Sequence, residues 1–487
     1  VSHPAFGTGA LAAPASASAA GRRRGPFIAA ALLSGALLVS LAYLAADLRF
    51  GYLLVYAWFG IGYGLLLQYG RFCMASAVRD LFAVGVPRMA VGVLVAVILY
   101  ALISAGIQAA GFNSFHAHPL GWHVPLGGLL FGLGMVLAGG CASSSLYKSG
   151  EGNLASVLVL FSISFSQAWV VSAGGWFNRL VPASWARQAA AQDMPAELSI
   201  TDGWFDQFTA GHLWQLSGGT LVDHLKLPAE WWSYLFGNAL LVAILPSLVL
   251  LLLLYTLNYR RVYLRQQGGQ ALSWRGELRG LWSLLTQSRN TALAGAGLGI
   301  LAGLQMLVTG ELRDLHGIFN FGELLAAMGY TQGLSLQDSV FDPGYWYITT
   351  QEAQWGGWVL AQAGVEMRDN LFFGLDNGLP SPLLNAPGMM SIGIIVGAAV
   401  LANISGEFKW KWPNAETALL AVAGGFLMGI GSRIGMGCNI GAFFATVTNG
   451  DASGWVFLAG MAAGGYVSVR LLKAWIDWRL ARSGLDF

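Results

Sequence analysis

Two stretches decide the reading of this chain: Gly424–Cys438, GGFLMGIGSRIGMGC, and, 297 residues upstream, Gly127–Cys141, GGLLFGLGMVLAGGC. Aligned without a gap, they share the opening Gly pair, Gly132 with Gly429, Gly134 with Gly431, Gly140 with Gly437, and the terminal Cys. Fifteen positions in register that end on the same rare residue mark an internal duplication. After a short slip Gly150-Glu151 answers Gly450-Asp451. The third and last cysteine closes Tyr69-Gly70-Arg71-Phe72-Cys73, after another apolar, Gly-rich run, and has no counterpart in the second half.

Composition sets the class. The 487 residues are 55% hydrophobic and 10% charged, with a mean hydropathy of +0.58, whereas soluble domains carry about 25% charged residues. Long apolar segments therefore predict an all-α polytopic membrane protein embedded in the lipid bilayer. The 66 glycines suit helices that pack closely or break within the bilayer. A net charge of +2 gives no footprint for nucleic acid. Three well-separated cysteines predict neither a disulfide framework nor a Cys-x-x-Cys metal or redox pair. No GxxxxGK[ST] loop is present, so this chain is not expected to hydrolyse ATP, and no cofactor is called for.

About ten spans are expected, at roughly 26–46, 50–70, 88–110, 124–146, 153–173, 233–258, 292–310, 388–405, 416–436 and 453–473, each near the ~20 residues that cross a ~30 Å core. Loop charge orients them. Arg260, Arg261, Arg265, Arg275, Arg279 and Arg289 stand between two spans against the single acid Glu277, and Arg79, Arg88, Lys409, Lys411, Lys473, Arg479 and Arg482 fall on the same side. Two long Trp-rich insertions on the other side hold 15 of the 24 acidic residues. The positive-inside rule places both termini in the cytoplasm and both insertions outside; the membrane expected is the bacterial inner membrane. The twin stretches become the fourth and ninth spans, an odd offset, and so run in opposite directions as an inverted-topology repeat.

The expected organisation is a disordered tail over 1–25, a first membrane repeat over 26–173, an external insertion over 174–232, the start of the second repeat over 233–310, a second external insertion over 311–387, and the remainder with a cytoplasmic tail over 388–487. The insertions read as helices lying on the outer membrane face, Glu352–Phe373 among them. The two Cys-bearing twins are expected to be broken or re-entrant.

Candidate site residues gather at these breaks. Gly60-xxx-Gly64, Gly128-xxx-Gly132, Gly425-xxx-Gly429 and Gly431-xxx-Gly435 predict close helix contacts. Gly139, Gly140, Gly435 and Gly437, just before the cysteines, lie where a helix loses its pairing and its N–H groups can turn toward an anion. Cys141 and Cys438 recur at equivalent points, and with Cys73 they offer weak S–H donors to a soft or anionic ligand; weak contacts suit a path that must also release. Arg433 is an intramembrane cation, and Arg71, Lys148, Glu151, Asn153 and Asn439 flank the cysteines. Two further readings stay open at this level: a membrane enzyme in which a cysteine forms a persulfide, and a soft-metal transporter, since Met135 and Met436 lie near the cysteines.

These residues resemble the YeeE/YedE family of sulfur-transport membrane proteins. The motifs that carry the resemblance are Gly70-Arg71-Phe72-Cys73, Gly139-Gly140-Cys141-Ala142 followed by Gly150-Glu151-Gly152-Asn153, and Gly435-Met436-Gly437-Cys438-Asn439. The resemblance implies an hourglass-like importer of thiosulfate, not an enzyme, in which Cys73, Cys141 and Cys438 pass the anion through a narrow waist. It also implies a cytoplasmic sulfurtransferase partner of the TusA-like kind. The long acidic insertions depart from a compact family member and leave room for another sulfur or selenium species.

Overall fold

A computed structural model describes residues 19–112, 123–172, 233–268, 273–316, 324, 326–330, 348–365, 381–435 and 437–483. Most of the 1–25 tail, all of 174–232 and much of 311–387 lie outside the described residues. Where described, the chain is helical, with no strand. The elements are α1 Ala19–Ala46, α2 Gly51–Gly70, α3 Met74–Val84, α4 Arg88–Ala109, α5 His123–Leu137, α6 Ala142–Gly150 and α7 Leu154–Ser172. They continue as α8 Tyr234–Gln266, α9 Trp274–Thr286, α10 Arg289–His316, α11 Ile348–Gln362, α12 Ala386–Ile404 and α13 Ala415–Ile434. The chain closes with α14 Asn439–Thr448 and α15 Ser453–Ser483.

Nine helical stretches among the described residues are long and apolar enough to cross a membrane, Leu48–Val84 and His123–Gly150 being interrupted ones, and they fall on nine of the ten expected spans. The tenth, 153–173, is α7, whose apolar part Leu154–Trp169 is shorter. The protein is an all-α, multi-pass membrane protein. Lipid supplies no hydrogen bonds, so helices that satisfy their own backbone are the structures that can span it. Helix α1 begins at Ala19, so the last residues of the expected tail extend the first span.

Small residues let these helices meet at backbone distance. Gly60 and Gly64 of α2 lie against the carbonyls of Met390 and Ile394, while Gly393 and Gly397 of α12 lie against those of Ala57 and Ile61. The α5–α15 interface repeats the device, with Gly128 and Gly132 on one side and Gly460 and Gly464 on the other. The twin stretches α5 and α13 cross each other directly. A Cβ on Gly424 would sit 2.5 Å from the Gly134 carbonyl, and one on Gly127 would sit 2.7 Å from that of Gly431. Contacts of 127 with 431 and of 134 with 424 require the two helices to be antiparallel.

The remaining packing comes in matched pairs. Helix α5 lies on α15 and α13 on α7; α2 lies on α12 and α10 on α4; α3 lies on α15 and α11 on α7. Helix α11, within the 311–387 segment, starts at Ile348 rather than near Glu352 and is packed against α7 and α12, with Thr349, Gln351, Glu352 and Ala353 buried.

Candidate functional site

Each cysteine stands at the start of a short helix that follows a break. Helix α2 ends at Gly70, Arg71 turns into the left-handed region at φ 47°, and Cys73 is the extended N-cap of α3. Helix α5 ends at Leu137, Gly139 turns at φ 69°, and Cys141 is the extended N-cap of α6. Helix α13 ends at Ile434, and Cys438 is the extended N-cap of α14. Both twins are thus broken at the cysteine. All three thiols are free and buried.

The sulfurs lie at the N-terminal ends of the helices they cap. The Ile440 N–H donates to Cys438 Sγ at 3.3 Å, and the Ser76 N–H lies near Cys73 Sγ. Cys141 Sγ lies 3.4 Å from the hydroxyls of Ser143 and Ser144, and its own N–H donates to Ser144 Oγ at 2.8 Å. A helix start presents unpaired N–H groups and the positive end of the dipole, which favours negative charge nearby.

Two of the thiols are neighbours. Cys73 and Cys141 lie close enough to interact with each other, and the Ser144 hydroxyl is near Cys73 as well. Lys148 interacts electrostatically with Cys73, and its Nζ donates to the Gly139 carbonyl at 2.8 Å. Cys438 sits in other company: the Thr349 hydroxyl and the Glu352 carboxyl are both close enough to interact with it. Next to it Asn439 is fully buried, with neither amide atom hydrogen-bonded among the described residues. Arg433 is 1% exposed, and its Nη2 donates to Thr350 Oγ1 at 3.4 Å.

The remaining candidates hold the breaks together. Arg71 pairs with Glu407 at 2.7 Å and with Glu151 at 3.8 Å, Lys411 pairs with Glu151 at 2.9 Å, and Gln68 donates to both carboxylates at 3.2 Å. Asn153 caps α7 by accepting from the N–H groups of Ala155 and Ser156. The glycine amides are occupied: Gly139 donates to Val136, Gly140 to Met135, Gly435 to Gly431 and Gly437 to Ser432. These bonds close the ends of α5 and α13, so the donors facing the breaks are those after the cysteines, not those before them. A Cβ on Gly140 would lie 3.3 Å from Lys148 Nζ, and Gly437 adopts φ 152°.

Sequence reasoning missed Ser143, Ser144, Thr349 and Glu352. The run Ala142-Ser143-Ser144-Ser145 straight after Cys141 is a polar cluster in an apolar region and was a usable signal. Thr349-x-x-Glu352 has the form of a helix-start capping box, which gave no reason to place its carboxyl in the protein interior.

Interrupted helices that bury thiols, a guanidinium and a carboxyl inside an apolar bundle define the class: a membrane transporter, in which intramembrane polar groups mark the solute path. Residues 69–467 match the model of the sulphur transport family, and the chain belongs to that family. It is 28% identical over 413 residues to the thiosulfate transporter TsuA of Spirochaeta thermophila, covering 82% of this chain and 92% of that one. It is 25% identical over 405 residues to the Escherichia coli thiosulfate transporter TsuA, covering 82% and 89%. A 127-residue match at 31% identity to the probable transporter YedE of Salmonella typhimurium covers 26% and 32%.

Proposed function

We propose that this protein imports thiosulfate across the bacterial inner membrane and that Cys73, Cys141 and Cys438 are successive contacts along its path. The observation that carries this reading is the neighbouring pair Cys73 and Cys141, two buried thiols at two helix starts, with the cation of Lys148 close enough to act on Cys73. A thiol matches the soft terminal sulfur of thiosulfate, and helix starts with hydroxyls match its oxygens. The names of the two full-length relatives support the same substrate. The antiparallel crossing of α5 and α13 and the paired packing support two inverted repeats. In that arrangement α11 is the second copy of α3, and Thr349 beside Cys438 stands where Cys73 stands beside Cys141.

The Arg-rich segment 259–291 supports cytoplasmic termini and external insertions over 174–232 and 311–387. A TusA-like sulfurtransferase would then receive the anion at the cytoplasmic end, where Arg71, Glu151, Glu407 and Lys411 cluster. No chemistry on the anion is required, so the chain acts as a carrier and not as an enzyme. The test is uptake into proteoliposomes holding the purified protein, with labelled thiosulfate, sulfate, selenite and copper compared. Thiosulfate uptake that exceeds the others is expected; transport of copper or selenite in preference would replace this substrate.

A further inference from the structure

One buried acid in this protein has no local explanation. Among the described residues Glu151 is ion-paired with Lys411 and Arg71, and Asp451 accepts from the Ser453 N–H at 2.8 Å. Glu352 is 0% exposed, and neither of its oxygens has a hydrogen-bond partner among the described residues. Burying a carboxylate without a partner is among the most costly arrangements a fold can contain. The side chain nevertheless stands one helical turn beyond Thr349, close enough to Cys438 to interact with it, and the unpartnered amide of Asn439 follows Cys438 in the chain.

Among the described residues the groups around Glu352 are few. It is the only titratable residue of α11, and neither α7 nor α12 carries one. Helix α6 brings Tyr147 and Lys148, the latter held on the Gly139 carbonyl, and α13 brings Arg433, whose guanidinium reaches Thr350. Cys438 completes the set. A metal cation would need a cage of several oxygens, and no group of three His, Cys, Asp or Glu side chains converges among the described residues. A single carboxyl is enough for a proton. Charge supplies the reason for one: a dianion moving inward works against an interior-negative potential, and no nucleotide-binding loop is present to drive it.

We propose that Glu352 carries a proton that enters together with the anion, so that import is proton-coupled at the Cys438 station. This rests on the reading of the chain as a sulfur-anion importer. A proton taken from the outer solution binds the carboxylate; the resulting O–H donates to an anion oxygen while the Cys438 thiol meets the sulfur; departure of the anion inward releases the proton on that side. The carboxyl thereby changes from a group that repels the anion to one that holds it.

The full-length protein in proteoliposomes with an internal pH dye, the potential clamped by potassium and valinomycin, tests this. Thiosulfate added outside should acidify the interior, and an inward proton gradient should raise initial uptake several-fold. Glu352→Gln should abolish both effects, and Glu352→Asp, which keeps the acid, should retain both. Thiosulfate uptake by the wild type without acidification would overturn the proposal, as would acidification by Glu352→Gln at the wild-type level. Absence of thiosulfate uptake by the wild type would remove the importer reading and this proposal with it.

Discussion

The Cys73 thiol lies close enough to the Cys141 thiol to interact with it, although one begins α3 and the other begins α6. Both are placed by helix breaks, and the contact makes them one station. Cys73→Ala should therefore reduce uptake about as strongly as Cys141→Ala, by tenfold or more on the scale of a lost specific contact. Uptake of labelled thiosulfate by the two single variants and the double variant checks this; a double variant no worse than either single one is expected for residues acting as a unit.

The same adjacency predicts selective oxidation. A mild thiol oxidant should join Cys73 to Cys141 and leave Cys438 alkylatable. Peptide mass spectrometry after alkylation reads the linkage, and a bond from Cys438 to either of the others would contradict the geometry.

The crossing of α5 and α13 depends on bare glycine at Gly134 and Gly424. Gly134→Leu should lower thermal stability in detergent by roughly the 1–3 kcal/mol of an overpacked contact, or more. Gly106 of α4 has nothing within 4 Å of its Cβ position, so Gly106→Ala should be neutral or gain up to about 1 kcal/mol of helix propensity. A thermal-shift series on the two variants separates these outcomes.

Much of this arrangement was legible in the chain. The aligned twins carry the breaks before Cys141 and Cys438, because glycine spacing and a rare residue survive as one-dimensional pattern, while the opposite directions of α5 and α13 were read from loop charge and the number of spans between them. Gly60, Gly64, Gly128 and Gly132 foretold close packing, since few other uses exist for glycine four residues apart in an apolar helix. The pairing of Cys73 with Cys141 was not legible, because it depends on how α3 and α6 are brought together by helices between them. The place of Glu352 was hidden for a different reason. Its helix has the composition of a membrane-surface segment, and only its packing on α7 and α12 shows the side chain to be interior.

Glu151 is 5% exposed and bridges Lys411, Arg71 and Gln68. Removing its charge leaves half-exposed cations that water can solvate, so Glu151→Gln should cost about 1–3 kcal/mol and not the larger penalty of a fully buried pair. Thermal unfolding of this variant beside Glu407→Gln, whose carboxylate is far more exposed, should show the larger loss for Glu151.

The central claim is that buried thiols in both halves contact a sulfur anion on its way in. It is tested most directly by uptake of labelled thiosulfate in cells lacking other routes, with Cys141→Ala and Cys438→Ala measured at matched membrane levels. Near-complete loss in each single variant is expected, with partial uptake in the Ser replacements because a hydroxyl still donates. Wild-type uptake in both Ala variants would contradict the account, and so would a substrate-dependent persulfide on Cys141 or Cys438 that uptake requires.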